Sequence, residues 1–495
     1  MGSPFIRIQF IRSSLLSSTV RSRFMIHGIR CLVSTPKGSE EQSHSTLHPH
    51  LNYKHFRSNV DKIAQNIRDR AIHDADIYKV VNLYDKVRIL RAEVKDINRM
   101  RNDVQKQAQM TKGGEHSALI EKGRCLKEQA HLKGMELDKL ETELVLEGSK
   151  IPNDTHFDAP VGGESMAHII KEHGAPIDRT THPFEIKDHM SLSRSLDLID
   201  LESAANVTGS SWYYLRNAGA LLELALIQYT MLKATSKGFT PIITPDVVRA
   251  EYSYACGFQP RSHEASQNYF VTSGCSSPSG QSPRLMLAAT AEVPLAGIYS
   301  NRLLSESQLP IKMVGFGRAF RAEAGARGAD TKGLYRVHQF SKVELFALTT
   351  PHESETIHEE IRMIQEEIFE ELGLCYRILD MPTEELGASA YRKYDVEAWM
   401  PGRDGWGEIS SASNCTDYQS RRLNIRYRPT SSRGGGTHAE DDRQKTTEYV
   451  HTLNGTALAV PRVIIAILEN FQTREGKVHI PEVLVPWMGG SKVIT

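Results

Sequence analysis

The chain is interpreted outward from residues 320–345, which read Phe-Arg-Ala-Glu-Ala-Gly-Ala-Arg-Gly-Ala-Asp-Thr-Lys-Gly-Leu-Tyr-Arg-Val-His-Gln-Phe-Ser-Lys-Val-Glu-Leu. One strand-like run, residues 311–320, leads into a loop of small residues, and a second run, residues 335–345, follows it. This order predicts a long β-hairpin. The loop combines three glycines with four fixed cations, which suits a closely approaching polyphosphate; the cations are Arg321, Arg327, Lys332 and Arg336. On these features alone, an ordinary solvated turn remains an equal alternative.

The residue sequences of the hairpin and of two further segments favour the phosphate-binding loop over the solvated turn. Residues 238–245, Gly-Phe-Thr-Pro-Ile-Ile-Thr-Pro, resemble motif 1 of the class II aminoacyl-tRNA synthetases. Residues 451–470 resemble motif 3, with a strand, a turn at Asn454-Gly455 and a helix. Three pieces of the hairpin resemble motif 2, and within the class they resemble the seryl-tRNA synthetases; they are residues 320–325, 330–334 and 336–344. Motifs in family order over more than 200 residues are a specific signal.

The resemblance implies an α+β fold. We expect a class II antiparallel β-sheet flanked by helices and preceded by an N-terminal antiparallel α-helical coiled-coil arm. The expected domains are a mitochondrial transit peptide (1–39), a tRNA-binding helical arm (50–150) and a class II catalytic domain (160–495). A homodimer is also implied, with motif 1 at the contact. Residues 217–234 agree, because they predict a helix that is apolar nearly all round and therefore buried on more than one side.

The arm is visible in the residue pattern as well. Apolar residues recur at spacings of three and four along residues 80–108, as in a coiled-coil seam, and a looser version continues through residues 119–144. Gly113 and Gly114 interrupt the pattern and predict a turn. The first helix, residues 78–110, has eight Lys or Arg and four Asp or Glu, and this net charge of +4 suits a phosphate backbone. A solvated face on a dimerising coiled coil remains the alternative. In the family, such an arm grips the tRNA.

The charges are balanced overall, with 60 basic and 60 acidic residues, but they are unevenly placed. Residues 1–39 contain six Lys or Arg, eight serines and no Asp or Glu, which is the composition of a mitochondrial transit peptide. A basic tail is the alternative. Without this segment, 54 basic and 60 acidic residues remain, so any nucleic-acid contact must use a local basic face.

The composition also excludes several classes of protein. Apolar runs in the first 39 residues are too short for a membrane span, so we expect no membrane insertion. The transit peptide predicts the mitochondrial matrix, and the resemblance implies a fungal-type mitochondrial enzyme. The six cysteines form no C-x-x-C pair, which argues against a zinc site and against a disulfide framework.

The resemblance implies a reaction with two steps. L-Serine and ATP form seryl-adenylate, and the seryl group then passes to the 3′ end of tRNA(Ser). The serine carboxylate is the nucleophile, so the protein must align the reactants and stabilise phosphate charge. Arg321 matches the catalytic residue on the α-phosphate, and Arg462 matches the one that holds the far end of the triphosphate. Glu408 and Ser411 match the ligands of the Mg²⁺ that accompanies ATP.

The remaining site residues are carried over from the same motifs. Glu323 would accept from the adenine amino group and Phe340 would stack on the base, although without the motif Phe340 is an ordinary core aromatic. Thr290 and Glu292 would bind the serine ammonium. Glu344 would read the hydroxyl and Thr456 would form the floor. Ala291 is added to the serine site, and Ala322, Ile409 and Ser410 are added to the ATP site.

Two rival interpretations stay open, and two residues depart from the usual sequence of the family. One rival is a catalytically inactive paralogue that keeps the arm as a tRNA-binding or structural subunit, and the retained charged residues argue against it. The other is a class II synthetase for a different small amino acid. Ala457 and Pro461 stand where bacterial members usually have glycine, but proline is tolerated in the first turn of a helix. Residues 429–446 form a polar, Gly-rich insertion that is predicted to be disordered.

Overall fold

The computed structural model describes residues 47–258, 268–271, 284–322, 332–430 and 447–495. The predicted transit peptide and residues 431–446 of the predicted insertion lie outside these ranges, and so does Glu323. The helices are α1 Tyr53–Ser58, α2 Val60–Asp69, α3 Ile77–Met110, α4 Gly114–Lys150, α5 His189–Leu196, α6 Glu202–Thr208, α7 Asn217–Ser236, α8 Ala250–Ala255, α9 Glu292–Gly297, α10 Ser354–Glu371, α11 Tyr418–Leu423 and α12 Val460–Asn470. Within the described ranges, no helix is both long and apolar enough to cross a membrane.

The strands follow the same chain order. They are β1 His168–His173, β2 Ile199–Asp200, β3 Tyr214–Leu215, β4 Thr240–Ile243, β5 Val247–Arg249, β6 Phe270–Val271, β7 Leu285–Leu287, β8 Leu303–Ser305, β9 Ile311–Phe320, β10 Gln339–Thr349, β11 Tyr376–Asp380, β12 Arg392–Met400, β13 Gly405–Asn414, β14 Arg426–Arg428, β15 Glu448–Tyr449, β16 His451–Ala459, β17 Val478–His479 and β18 Val493–Ile494.

The predicted helical hairpin is confirmed by α3 and α4. Helix α3 has 34 residues, which gives a length of about 51 Å. The seam predicted from Val80 to Val104 is buried between the two helices at most of its positions, with Leu126 and Leu144 of α4 opposite. Gly113 has a φ of +90° at the turn, a conformation that favours glycine.

The base of the arm is fixed to the rest of the chain by Arg70. Its guanidinium is buried and donates hydrogen bonds to the backbone oxygens of Asp154, Gly387 and Ala390. Helix α1 begins at Tyr53, inside the range 50–150 that was predicted for the arm. Asn52 caps this helix by accepting from the backbone N–H of His55.

The core of the chain is an eight-stranded sheet with the order β1-β11-β12-β13-β16-β10-β9-β4. Each neighbouring pair is antiparallel except β4 and β9, which run parallel. The predicted class II sheet is therefore confirmed, with the motif 1 strand as its parallel edge. Helices α7, α10 and α12 pack on one face, where Leu222, Ile361 and Ile464 belong to one apolar cluster with Val343 and Leu345 of the sheet. On the opposite face, Val293 and Leu295 of α9 belong to a second apolar cluster with Phe346 and Leu348 of β10.

Two local predictions are wrong. The second strand of the hairpin begins at Gln339 instead of residue 335, because residues 334–338 turn to bury Leu334 and Val337. The predicted turn at Asn454-Gly455 does not exist, since both residues lie inside the continuous strand β16. Gly455 is required there for a different reason: a Cβ at this position would lie 2.4 Å from Cγ2 of Ile361 in helix α10.

Candidate active site

A cleft lies between the motif 2 hairpin and the start of helix α12. The lining comes from the hairpin, from β13 and β16, and from the start of α12; it comprises Arg321, Leu334, Tyr335, Arg336, Val337, Phe340, Lys342, Glu408, Ser410, Ser411, Thr456, Ala459, Pro461 and Arg462. Sequence positions from 321 to 462 therefore meet in one cleft.

Two β-bulges place the polar side chains of this cleft. In β13, Glu408 and Ser411 are three residues apart and would face opposite sides of a regular strand. The register between β12 and β13 shifts at Val396/Glu397, so that Glu397 opposes Glu408 and Asp395 opposes Ser411. One extra residue in β13 thus keeps Glu408 and Ser411 on the same face.

The second bulge lies in β16 and places Thr456 and Ala459 on the same face of the sheet. Lys342 and Glu344 are two residues apart in β10, whereas their partners Ala459 and Thr456 are three residues apart in β16. The extra residue is accommodated next to Ala457, whose side chain is fully buried in the core cluster. The methyl group that replaces the bacterial glycine therefore lies away from the cleft, and Pro461 lies in the first turn of α12 as predicted.

Glu408 and Arg462 form the charged wall of the cleft. Nη1 of Arg462 donates to the backbone oxygen of Glu408 at 2.8 Å and contacts its Oε2 at 3.2 Å. Desolvation would raise the pKa of the Glu408 carboxyl, but the charges of Arg462, Lys393 and Arg321 hold it at about 2. The carboxylate is ionised at neutral pH, and 44% of its side chain is exposed to the cleft. It is therefore available to a metal or a cationic ligand.

A second carboxyl, Asp395, lies beside this wall on β12. Burial raises its pKa to about 7, although Nζ of Lys393 lies 2.6 Å from its Oδ2. Neither residue was selected from the sequence. Their place became visible only through the pairing of β12 with β13, which sets Asp395 opposite Ser411.

Arg321 and Phe340 meet where the hairpin joins the cleft. The guanidinium carbon of Arg321 lies 5.3 Å from the centroid of the Phe340 ring, within the range of a cation–π contact. The backbone N–H of Arg321 donates to the oxygen of His338 at 2.9 Å, so the strand pair holds the side chain at the cleft. Phe340 is thus a cleft residue and not only a core aromatic. Ala322 follows Arg321 and is the last residue of the described range 284–322.

Deeper in the site, a buried polar pocket joins β10, β16 and α9. Nζ of Lys342 lies 2.8 Å from Oε2 of Glu344 and 3.2 Å from Oγ1 of Thr290. The hydroxyl of Thr456 contacts the same Glu344 oxygen at 3.4 Å. Thr290, Glu344 and Thr456, selected far apart in the sequence, are thus brought together, and Lys342 joins them as a cation that sequence analysis missed. Strand alternation could have found it, because it lies two residues before Glu344.

Glu292 closes this pocket and has an unusual proton affinity. Burial and the charge of Glu344 raise its pKa to about 7, against the stabilising contacts of Gln419 and Lys342. Nε2 of Gln419 donates to Oε1 of Glu292 at 2.5 Å and to the backbone oxygen of Cys256 at 3.2 Å. No pattern in the sequence singles out Gln419, because it reaches the pocket only through the folding of α11 against α8.

Three residues selected from the motifs have side chains that are engaged elsewhere. Ala291 is buried in the apolar cluster under α9, and Ile409 is buried in the main core. Ser410 donates its hydroxyl to the backbone oxygen of Thr456. Ala291 and Ile409 can therefore contribute only backbone groups. Within the described residues, no cluster of three or more His, Cys, Asp or Glu could hold a metal ion by itself.

Two family models match the chain. A model of the seryl-tRNA synthetase N-terminal domain matches residues 51–155, and a model of the tRNA synthetase class II core domain (G, H, P, S and T) matches residues 275–471. The chain is 43% identical over 446 residues to a serine–tRNA ligase of Treponema denticola, a match that covers 90% of this chain and 100% of the relative. It is 42% identical over 443 residues to that of Rhodopirellula baltica, covering 89% and 98%.

Solved structures give the same result. The chain superposes on the seryl-tRNA synthetase of Pyrococcus horikoshii complexed with ATP with a TM-score of 0.79 and 34% identity, covering 90% of this chain and 99% of the other. It superposes on the cytoplasmic serine–tRNA ligase of Naegleria fowleri in complex with AMP with a TM-score of 0.74 and 30% identity, covering 91% and 99%. Both the arm and the sheet are included at this coverage.

Proposed function

The chain belongs to the seryl-tRNA synthetase family and is a serine–tRNA ligase, and we propose that it charges tRNA(Ser) for translation in the mitochondrial matrix. L-Serine and ATP would form seryl-adenylate in the cleft, and the seryl group would then move to the 3′ end of the tRNA. The observation that supports this assignment is that a cleft and a small buried polar pocket lie next to each other. A cationic cleft with an aromatic ring at Phe340 adjoins a buried pocket that contains Glu292 and Glu344.

The nucleotide half suits ATP. We propose that Arg321 binds the α-phosphate and the serine carboxylate, since a planar guanidinium can hold both at once. Phe340 would stack on the adenine, and Arg462 would hold the far end of the triphosphate. ATP and AMP are the ligands named for the Pyrococcus horikoshii and Naegleria fowleri structures, which supports a nucleotide in this half. The role matched to Glu323 stays a prediction, because this residue lies outside the described ranges.

Mg²⁺ fits the same wall. Mg²⁺ prefers oxygen ligands and is commonly held by one or two carboxylates together with substrate phosphates. Glu408 is ionised, faces the cleft and shares its face with Ser411, so these two side chains would hold the ion. When bound, Mg²⁺ neutralises charge on the phosphates. The protein's own task is to keep Glu408 ionised, which Arg462 and Lys393 do.

The serine half suits a small hydroxy amino acid. Glu292 and Thr290 would take the ammonium group, and Glu344 would accept a hydrogen bond from the hydroxyl. Lys342 and Thr456 orient Glu344 for this contact. A site that hydrogen-bonds a substrate hydroxyl can reject the analogue without it by roughly 10⁴-fold. This pocket therefore favours serine over alanine.

We propose that the enzyme is a homodimer that uses motif 1. Leu221, Leu224 and Leu232 of α7 are exposed on the single chain, and Ile243 of β4 is 83% exposed. Apolar side chains concentrated on one helix and an adjoining edge strand are typical of a covered interface. Light scattering after size exclusion should give twice the mass of the chain. Leu224→Glu should shift the protein towards the monomer, whereas an unchanged mass would argue against this surface.

We propose that the arm binds tRNA through phosphate contacts. The net charge of +4 on residues 78–110 supports this. Several of these cations are already in exposed ion pairs, such as Arg91 with Glu141 at 2.5 Å and Arg88 with Asp85 at 3.2 Å. Exposed pairs contribute only about 0–1 kcal/mol, so they can be exchanged for phosphates.

We also propose that residues 1–39 direct the protein to mitochondria. Their acid-free composition, rich in arginine and serine, supports this location. A fluorescent fusion of residues 1–45 should enter mitochondria, and the same fusion with its arginines changed to glutamine should not. A cytosolic signal from the first fusion would contradict the proposal. The fungal type stays a prediction.

Serine-dependent ATP–pyrophosphate exchange tests the reaction. We expect exchange with serine and with none of a panel that includes alanine, threonine, glycine and proline. No exchange with any amino acid would favour an inactive paralogue. Exchange with another amino acid would favour a synthetase of different specificity. Charging of a tRNA(Ser) transcript then tests the second step.

A further inference from the structure

We infer that His189 and Glu469 form a buried positioning pair that fixes the C-terminal root of the motif 2 loop, residues 332–337, and thereby sets the affinity for ATP. The inference rests on the proposed function of the cleft as an ATP site. Neither residue faces the cleft lining, and the reaction described above does not use them. Both are almost fully buried, with exposed fractions of 1% and 0%.

The carboxylate of Glu469 receives three N–H donors. Its Oε1 lies 2.9 Å from Nδ1 of His189 and accepts the backbone N–H of the same residue at 2.9 Å. Its Oε2 accepts the backbone N–H of Gly402 at 2.8 Å. A buried carboxylate is costly unless it is hydrogen-bonded in this way. Glu469 thus joins helix α12 to the start of α5 and to the turn between β12 and β13.

The other ring nitrogen of His189 extends the contact to the loop root. With the Nδ1 proton donated to Glu469, Nε2 accepts the backbone N–H of Leu334, at the long distance of 3.4 Å. Gly333 has a φ of +63°, and a Cβ there would lie 2.2 Å from Nε2 of His189. The root therefore closes onto the imidazole so tightly that only glycine fits.

Neighbouring contacts fix the same segment. Nζ of Lys332 lies 2.5 Å from Oδ2 of Asp188, one residue before His189. The ring of Tyr335 meets the edge of the His189 ring with centroids 5.2 Å apart and planes at 89°. Each residue from 332 to 335 is therefore held against Asp188 or His189 at the start of α5.

The pair connects this root to the two sides of the cleft. Leu334 and Tyr335 line the cleft directly. The backbone oxygen of Tyr335 lies 3.4 Å from Nε of Arg462, which projects from the first turn of α12. Glu469 lies seven residues further along α12, about two turns, and so on the same side of the helix. Loosening the pair should let the root and Arg462 move apart, and both belong to the nucleotide half.

The test compares direct ligand binding by His189→Ala, His189→Asn and Glu469→Gln with that of the unmodified chain. Mg²⁺-ATP and L-serine are each titrated by calorimetry, so the readout does not depend on catalysis. We expect at least a tenfold weaker Kd for Mg²⁺-ATP in His189→Ala and Glu469→Gln, and less than a twofold change for serine. His189→Asn keeps a donor near Nδ1 but loses the acceptor for Leu334, so it should weaken ATP binding to an intermediate extent.

His358→Ala is the matched control. His358 is also buried, but it stacks on Tyr394 with centroids 4.7 Å apart and belongs to α10, remote from residues 332–337. Its replacement should lower the Tm without changing the Kd for Mg²⁺-ATP. Trypsin cleavage after Lys332 in the ligand-free protein reports on the root itself, and it should accelerate in the His189 and Glu469 variants but not in His358→Ala.

Two results would overturn the inference. One is an unchanged Kd for Mg²⁺-ATP in folded Glu469→Gln and His189→Asn. The other is an equal loss of ATP and serine binding in the His189 and His358 variants, which would make the pair an ordinary structural element. Failure of the proposed function looks different, because the unmodified chain itself would then show no serine-dependent pyrophosphate exchange.

Discussion

The pKa of Glu292 should make serine activation depend on pH in the physiological range. Its carboxyl is buried beside Glu344, and both effects raise the pKa to about 7. Only the ionised carboxylate attracts the serine ammonium at full strength. Below pH 7 the protonated form prevails and serine binding weakens, whereas above pH 7 binding reaches a plateau. We therefore expect kcat/KM for serine to rise with increasing pH.

The magnitude follows from the ionised fraction. For a pKa of about 7, about 9% of Glu292 is ionised at pH 6 and about 91% at pH 8, so kcat/KM for serine should rise about tenfold. The titratable groups that face Glu292 are Glu344 and Lys342 from β10, Cys256 after α8 and Cys415 before α11. Burial raises the pKa of both cysteine thiols, so neither should titrate between pH 6 and 8.

Pyrophosphate exchange at saturating ATP, measured from pH 5.5 to 8.0, checks this prediction. Glu292→Gln should activate serine weakly and without the inflection. Asp395→Asn is the control, because Asp395 also has a raised pKa but lies beside Glu408, so this variant should keep the inflection for serine. A flat profile in the unmodified enzyme, or an inflection that persists in Glu292→Gln, would refute the reasoning.

Four further outcomes are expected. Arg321→Lys should lose nearly as much adenylation as Arg321→Ala, about 10²–10³-fold in kcat, because lysine cannot form the bidentate contact; near-normal exchange by the lysine variant would reject the assigned role. Glu344→Ala should lower serine activation strongly and narrow the serine-to-alanine ratio from roughly 10⁴, and an unchanged ratio would show that another group reads the hydroxyl. Glu292→Gln should stabilise the ligand-free protein at pH 8 by up to about 3 kcal/mol. The folded state raises the pKa of Glu292 from 4.5 to about 7, so the unmodified protein loses folding stability as pH rises between these values. Urea unfolding of both proteins at pH 5 and pH 8 checks this, and an equal difference in unfolding free energy at the two pH values would contradict it. Replacing residues 80–145 by a short Gly-Ser turn should leave serine-dependent exchange within a few-fold of normal while tRNA charging collapses; efficient charging by the shortened protein would make the arm a folding or dimerisation element. Neutralising Arg88, Arg91, Lys95 and Arg99 should reduce the salt dependence of tRNA binding, by up to about 0.7–0.9 in log–log slope for each phosphate that the arm no longer neutralises.

Local periodicity and motif spelling predicted the large elements well. The seam from Val80 to Val104 requires only that two apolar stripes face each other, so it could be predicted from spacing alone. The sheet and the cleft residues Arg321, Phe340, Glu408, Ser411 and Arg462 came from motif spelling, and the fold brings them to one face.

The missed features depend on pairing between distant strands. Asn454-Gly455 has the composition of a turn, yet the close approach of Ile361 from α10 uses the glycine inside a strand. The two β-bulges cannot be predicted from one strand, because each is a mismatch in length between two strands. Gln419 and Asp395 reach the site only through such packing.

The charge balance of the serine pocket suggests why Lys342 matters although it matches no assigned family role. Glu292 and Glu344 share the pocket, and Lys342 supplies one positive charge, which lies 2.8 Å from Glu344. Among the described residues of the pocket, one acid therefore lacks a cation, and burial together with the charge of Glu344 raises the pKa of Glu292. The serine ammonium would restore the balance, so it should lower the pKa of Glu292 and release a proton on binding below pH 7. A ligand without an ammonium group could not restore this charge balance. The missing positive charge therefore destabilises the ligand-free protein and at the same time favours the binding of an amino acid.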